Sequence, residues 1–311
     1  MTSIFVTGGS GFIGSAFVPR AVAAGYTVRV LTRSEKSRAR IQAVGAVPVS
    51  GDVLQSGDWQ GEAAQADFVV HLAQPEAFGA RVTLKRAQNY REQRLRMDEL
   101  LFSSLNPVTV RRIIYVAGTS YYGDQGSALV NEATRPNPKG FGPFIAPAIE
   151  RLSIYLEQGL PIVEAYPGWV YGAGSWFLEY NLAPLKARKK VPRLTGPIKM
   201  ASPVHVEDVG RALLHLLEKG TVAKRYFIVD DQPVRVNRLP ELAAQALGVP
   251  LRFRTVPEFI SKLILGPIVT ESLTTEFRLS NARLKETGFE FEFPTVEKGI
   301  PEVVAHWLKK R

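Results

Sequence analysis

Eight residues near the start of the chain, TGGSGFIG at 7–14, constrain it more than any other stretch. They satisfy two glycine spacings at once, Gly8–Gly11–Gly14 and Gly9–Gly11–Gly14. Such a run is weak evidence alone. Here it follows the apolar segment SIFVT (3–7) and opens an amphipathic stretch at 12–24, so strand, tight turn and helix succeed one another. Backbone free of side chains can approach a diphosphate, and amides at the helix N-terminus meet its charge. A dinucleotide is expected to sit against Thr7, Gly8, Gly11, Phe12, Ile13 and Gly14.

Further strand-like runs follow at 27–32, 46–50, 67–73, 112–118 and 161–166, alternating with helical stretches at 34–43, 81–105 and 148–158. The runs are apolar and β-branched nearly throughout, as strands covered on both faces must be. The pattern predicts an α/β fold, a Rossmann doubly wound parallel sheet with a second, smaller C-terminal substrate domain. From about residue 171 the pattern loosens into a Gly-, Pro- and Lys-rich segment, and RYFIVD (225–230) restores it. A Rossmann domain is expected over 1–170, completed by about 204–231, with 171–203 and 232–311 forming the smaller domain.

The end of the second strand discriminates between cofactors. A carboxylate there bonds the ribose 2′-hydroxyl of NAD, whereas a basic side chain pairs with the 2′-phosphate of NADP. The chain reads Thr32, Arg33, Ser34, and Arg33 offers a guanidinium fork to a phosphate. NADP(H) is the expected cofactor, with NAD(H) as the alternative. Asp52 and Val53, after the third strand, are expected at the adenine end. Leu72 and Ala73, closing the fourth, leave room for the ribose.

Composition narrows the setting. The absence of cysteine removes disulfides, thiolate nucleophiles and Cys-based zinc sites, and suits a reducing cytoplasm. Four scattered histidines give no metal cluster, so no metal is expected. The opening lacks a signal-peptide pattern, which predicts a cytoplasmic protein. FISKLILGPIV (259–269) is broken by Lys262 and Pro267 and falls short of a membrane span, so it reads as a core helix, with an interfacial or lid segment as the alternative. The net charge of +10 is spread along the chain without a nucleic-acid reader motif, so the expected partner is a small molecule, with no nucleic acid.

With TGGSGFIG, the chain carries GDV (51–53), VVHLA (69–73), YVAGTSYYG (115–123), YPGWVYG (166–172), VHVEDVGRAL (204–213) and YFIVDDQPV (226–234) in one order. In this it resembles the extended short-chain dehydrogenase/reductase superfamily, the epimerase/dehydratase-like group, over almost its whole length. The resemblance implies a Ser/Thr, a Tyr and a Lys in the active site, and a homodimer through two long helices. Aligned on these motifs, the three catalytic positions fall on Gly118, Gly142 and Ala146, so the resemblance implies an atypical member lacking the Ser-Tyr-Lys triad. The prolines at 143 and 147 predict that the helix there begins at Pro147. Pro167 and Gly168 are expected near the nicotinamide amide, and Thr119 and Tyr121 are the candidate replacements for proton transfer. His205 and Asp208 read as structural. Trp169, Trp176, Phe177 and Tyr180 are candidates for an aromatic substrate pocket.

Three functions remain open on the residues alone. One is an NADP(H)-dependent oxidoreductase acting on a small aromatic or lipophilic molecule. The others are a non-catalytic NADP(H)-binding sensor or scaffold, and a lyase or isomerase reusing the fold.

Overall fold

A computed structural model describes residues 2–75 and 81–309. Seven strands form one parallel sheet in the order Arg225–Ile228, β6 (Ile162–Pro167), β5 (Arg112–Val116), β4 (Phe68–His71), β1 (Ser3–Thr7), β2 (Thr27–Thr32) and β3 (Val47–Ser50). The order reverses at β1, and the loops at the C-terminal ends of β1 and β4 flank that switch point, the place where open sheets of this kind bind ligands.

Side-chain alternation along the strands divides the core in two. Phe5, Val69, Ile113 and Tyr115 pack on one face beneath Trp59, Met97 and Leu101, and Ile4, Val6, Val70 and Ile114 pack on the other against Phe17 and Leu213. Helices α1 (Phe12–Ala23), α2 (Glu35–Ala43), α3 (Trp59–Ala64) and α4 (Leu84–Phe102) fill the early crossovers. A third apolar cluster unites Tyr171, Phe177, Leu185, Leu242, Val303 and Trp307 away from the sheet. The paired strands Val191–Leu194 and Phe253–Val256 contribute Val191 and Phe253 to it.

Two expectations are corrected. The helix after β5, α5 (Gly142–Glu150), starts five residues before Pro147 and carries that proline inside it. Pro143 occupies the first turn, where an N–H has no intrahelical partner, so Pro147 costs only one ladder bond close to the helix start. A second short helix, α6 (Leu152–Glu157), follows. The FISKLILGPIV segment is no core helix either. It forms the Glu258–Ile264 and Pro267–Thr274 helices, and Phe259, Leu263 and Ile264 of the first are turned to the surface.

Candidate functional site

The turn from β1 into α1 is shaped by close contact. Gly8 adopts φ +71°, and a Cβ there would lie 2.6 Å from the Ala73 nitrogen. At Gly14 an added methyl would stand 2.3 Å from the Gly9 carbonyl oxygen. Only hydrogen fits at either position, so β1, α1 and the end of β4 converge on one side-chain-free cradle. No side chain caps α1 at Gly11, which leaves the first-turn amides to an incoming anion. This geometry fits the diphosphate of a dinucleotide.

At the end of β2, Arg33 reaches to 3.9 Å from Asp52 across the cleft between β2 and β3. The Asp52 carboxylate also accepts the Leu54 N–H at 2.9 Å, a turn-forming contact. Thr32 is buried and donates its hydroxyl to the Val49 carbonyl, and Val53 belongs to the core. Leu72 and Ala73 are buried beside the glycine turn.

Beyond the turn lies a cavity of about 270 Å³. Ile13, Val116, Phe141, Ile145, Pro167 and Val170 give it apolar walls, and Gln74, Tyr90, Arg94 and Ser120 supply its polar groups. Tyr90 and Arg94 stand one helical turn apart on α4, on the same face. The Tyr90 hydroxyl donates to the Gln74 side chain. Burial pushes its phenol up from the ordinary value, against the opposing pull of the Arg94 guanidinium, so the hydroxyl keeps its proton.

Arg94 is fully buried and fully engaged. It donates to the Ala73 carbonyl at 2.8 Å, the Val116 carbonyl at 3.2 Å and the Tyr115 hydroxyl at 3.0 Å, and lies 3.3 Å from Asp98. Asp98 accepts from Tyr115 at 2.7 Å and pairs with His71 Nε2 at 2.9 Å. His71 Nδ1 meets the Thr7 hydroxyl at 2.5 Å, and the same hydroxyl accepts the Ala73 N–H at 3.3 Å. Burial holds the His71 pKa below its usual value. The neutral ring then carries its proton on Nε2, toward Asp98, and accepts from Thr7 on Nδ1. One unbroken network joins the glycine turn to the cavity floor, and Arg94 ties the ends of β4 and β5 together.

The candidate proton-transfer residues fall elsewhere. Thr119 and Tyr121 begin and end a 3₁₀ turn, and of that turn Ser120 lines the cavity. Tyr121 faces a separate cleft with Glu132, Glu150, Glu164 and Arg225, and the Arg225 guanidinium sits 5.5 Å over its ring. Tyr122 is buried and bonds the Glu132 carbonyl.

Helix α5 closes tightly on this turn. A Cβ at Gly142 would lie 2.2 Å from the Ser120 carbonyl oxygen, and one at Gly118 would lie 3.0 Å from Ile145. With hydrogens at both positions, Ile145 fills the space between helix and loop. Gly168 is equally confined, with the Ser202 carbonyl 2.0 Å from its Cβ position. Trp169 and Trp176 stack edge to face in the seam behind Val170, Phe177 is core, and Tyr180 is half exposed. Asp208 accepts the backbone N–H groups of Glu292 and Phe293, and His205 bonds Glu302, so both fasten the C-terminal segment.

The solved structures that share this architecture include the human epimerase family protein SDR39U1, solved with NADPH, at a TM-score of 0.80 and 20% identity over 98% of this chain and 99% of that one. The dTDP-glucose 4,6-dehydratase of Streptomyces venezuelae, solved with NAD, superposes with a TM-score of 0.83 at 20% identity over 100% and 98% of the two chains. Among curated proteins, the Stigmatella aurantiaca 4-hydroxy-2-methyl-3-oxo-4-farnesyl-3,4-dihydroquinoline-1-oxide ketoreductase is 25% identical over 288 residues, covering 90% of this chain and 84% of that protein. Residues 4–228, spanning the cavity described above and the parallel sheet but for its first residue, match the family model for the NAD dependent epimerase/dehydratase family, and the chain is an enzyme belonging to that family.

Proposed function

We propose that the protein is an NADP(H)-dependent reductase of a carbonyl group on a small lipophilic or aromatic molecule, with Tyr90 as its proton donor. The observation that carries this reading is the phenol–guanidinium pair of Tyr90 and Arg94, set into a cavity with largely apolar walls beside the glycine turn. Thr7, Gly8, Gly11, Phe12, Ile13 and Gly14 hold the diphosphate, Thr32 and Arg33 the 2′-phosphate, Asp52 and Val53 the adenine end. Leu72, Ala73, Pro167 and Gly168 line the nicotinamide end. A guanidinium in place of a carboxylate after β2 favours NADP(H), and the human relative's NADPH agrees with it.

A reduced nicotinamide, when bound, supplies a hydride to the carbonyl carbon. Tyr90 gives its proton to the carbonyl oxygen, and Gln74, already bonded to the phenol, orients it. Ser120 offers a second hydroxyl from the opposite wall. Arg94 fixes the floor and biases the phenol toward ionisation once the proton has left. The apolar walls exclude water and select for lipophilic substrates, in keeping with the farnesylated substrate of the Stigmatella ketoreductase. The Tyr171–Trp307 cluster is the substrate domain in this reading.

The test is NADPH oxidation by the purified protein with a panel of lipophilic and aromatic ketones. Turnover of at least one member is expected. Tight NADPH binding without turnover of any ketone or aldehyde sinks the reductase reading.

A further inference from the structure

The Glu258–Ile264 helix is built inside out. Its inward residue is Ser261, 2% exposed, whose hydroxyl bonds the buried Thr270 hydroxyl at 2.8 Å. Its outward residues are Phe259, Leu263 and Ile264, at 71%, 67% and 59% exposure. A helix of a soluble fold normally does the reverse. The Val82 N–H bonds the Leu265 carbonyl, which brings the start of α4, with Leu84 60% exposed, to the end of this helix. Three large apolar side chains thus stand in water on one short helix, with a fourth on the neighbouring start of α4, where a few scattered ones are ordinary.

The surroundings are basic. Arg81, Lys85 and Arg86 are exposed beside Leu84, and Lys262 lies within the helix, paired with Glu258. The strand Phe253–Val256 ends immediately before the helix and brings the exposed Arg252 and Arg254. Its partner strand follows the KARKK run at 186–190. The chain as a whole carries +10. A second copy docked on this face by a two-fold axis would set these cations against themselves. An anionic surface meets them favourably.

We infer that this face docks on an anionic lipid surface, with Phe259, Leu263, Ile264 and Leu84 entering the interface and the basic residues resting on the headgroups. The face also sits on the outer side of the cavity wall. Phe141 lines the cavity and packs with Val82, Ile268 and Val269 beneath the docking helices. Gly140 and Phe141 are bonded from their backbone N–H groups to Glu271 and Ser272 of the Pro267–Thr274 helix. A molecule dissolved in the membrane would therefore lie next to the Phe141 wall of the cavity.

The test is flotation of the full chain with phosphatidylcholine vesicles, and with vesicles in which about a third of the lipid is phosphatidylglycerol, at low salt and at about 0.5 M salt. Binding to the anionic vesicles, weakened by salt and roughly tenfold lower on pure phosphatidylcholine, is expected. Phe259→Ser with Leu263→Ser, both on the surface, is expected to abolish flotation while the thermal unfolding midpoint stays put. Lys85→Glu is expected to lower it several-fold. No flotation with either vesicle, or equal flotation of the double variant, overturns the inference. So does a concentration-dependent dimer of the wild type that the double variant loses, which would make a second copy the occupant. None of these outcomes depends on turnover, so the docking and reductase readings fail separately.

Discussion

Tyr90 carries the proposed chemistry through a single oxygen, so the smallest change that removes it is decisive. Tyr90→Phe should lower the rate of carbonyl reduction by roughly 10²-fold or more while leaving NADPH affinity unchanged. An unaltered rate would exclude the phenol, and a lost cofactor affinity would mean that it shapes the site rather than reacts. Asp98 is the counter-charge on which Arg94 depends. Asp98→Ala leaves a guanidinium buried among carbonyls and a phenol with no acceptor, and should destabilise the fold by ~3–5 kcal/mol. Denaturant unfolding of the variant would show it, and a loss under 1 kcal/mol would mean that the network holds without its anion.

At the scale of elements, the strand ending in His205 shows how burial couples folding to acidity. Burial, with Arg20 nearby, lowers the His205 pKa from 6.5 to about 4, and His71 is shifted in the same direction. The unfolded chain therefore binds protons that the folded one refuses, and stability must fall as pH drops from about 6.5 toward 4. His205 alone accounts for up to ~3 kcal/mol of that loss. His205→Gln should flatten the dependence of the urea midpoint on pH in this window, and a parallel curve would assign the loss to other groups. Elements of this kind differed in how plainly the sequence announced them. The strands were legible because a strand covered on both faces must be apolar throughout, and β1, β2 and β5 start where the runs start. Helix α5 was misread because its prolines suggested a break, although one of them sits where an N–H is dispensable. Tyr90 was missed because YREQR resembles any solvated helical face. The signal was present in the spacing: Arg94 and Asp98 share a stripe with Ala87 and Leu101, charged residues at core positions, which calls for a buried pairing. FISKLILGPIV misled in the opposite sense, since its apolar content said nothing of which side faced in.

For the whole molecule, a ligand that binds only the folded chain raises its unfolding temperature. NADPH at about 100 times its Kd should add ~2.7 kcal/mol, or roughly 4 °C for a chain of this size. NADH should give a smaller shift, and Arg33→Ala should bring the two together. Equal shifts in the wild type would overturn the preference for the phosphorylated cofactor. The glycine turn and Arg33 were readable in the sequence because they are local. The cavity was not, because it draws on α4, the end of β5, α5 and the loop after β6, which only the closed sheet brings side by side. Arg94 bridges the Ala73 and Val116 carbonyls, and that bridge has a practical corollary. One half of the cavity is a braced chassis that tolerates no editing, whereas Phe141 and Ile145, at the start of α5, and Val170, beyond β6, supply apolar wall from outside that network. An engineer seeking a new substrate range should randomise those three positions and leave the floor untouched.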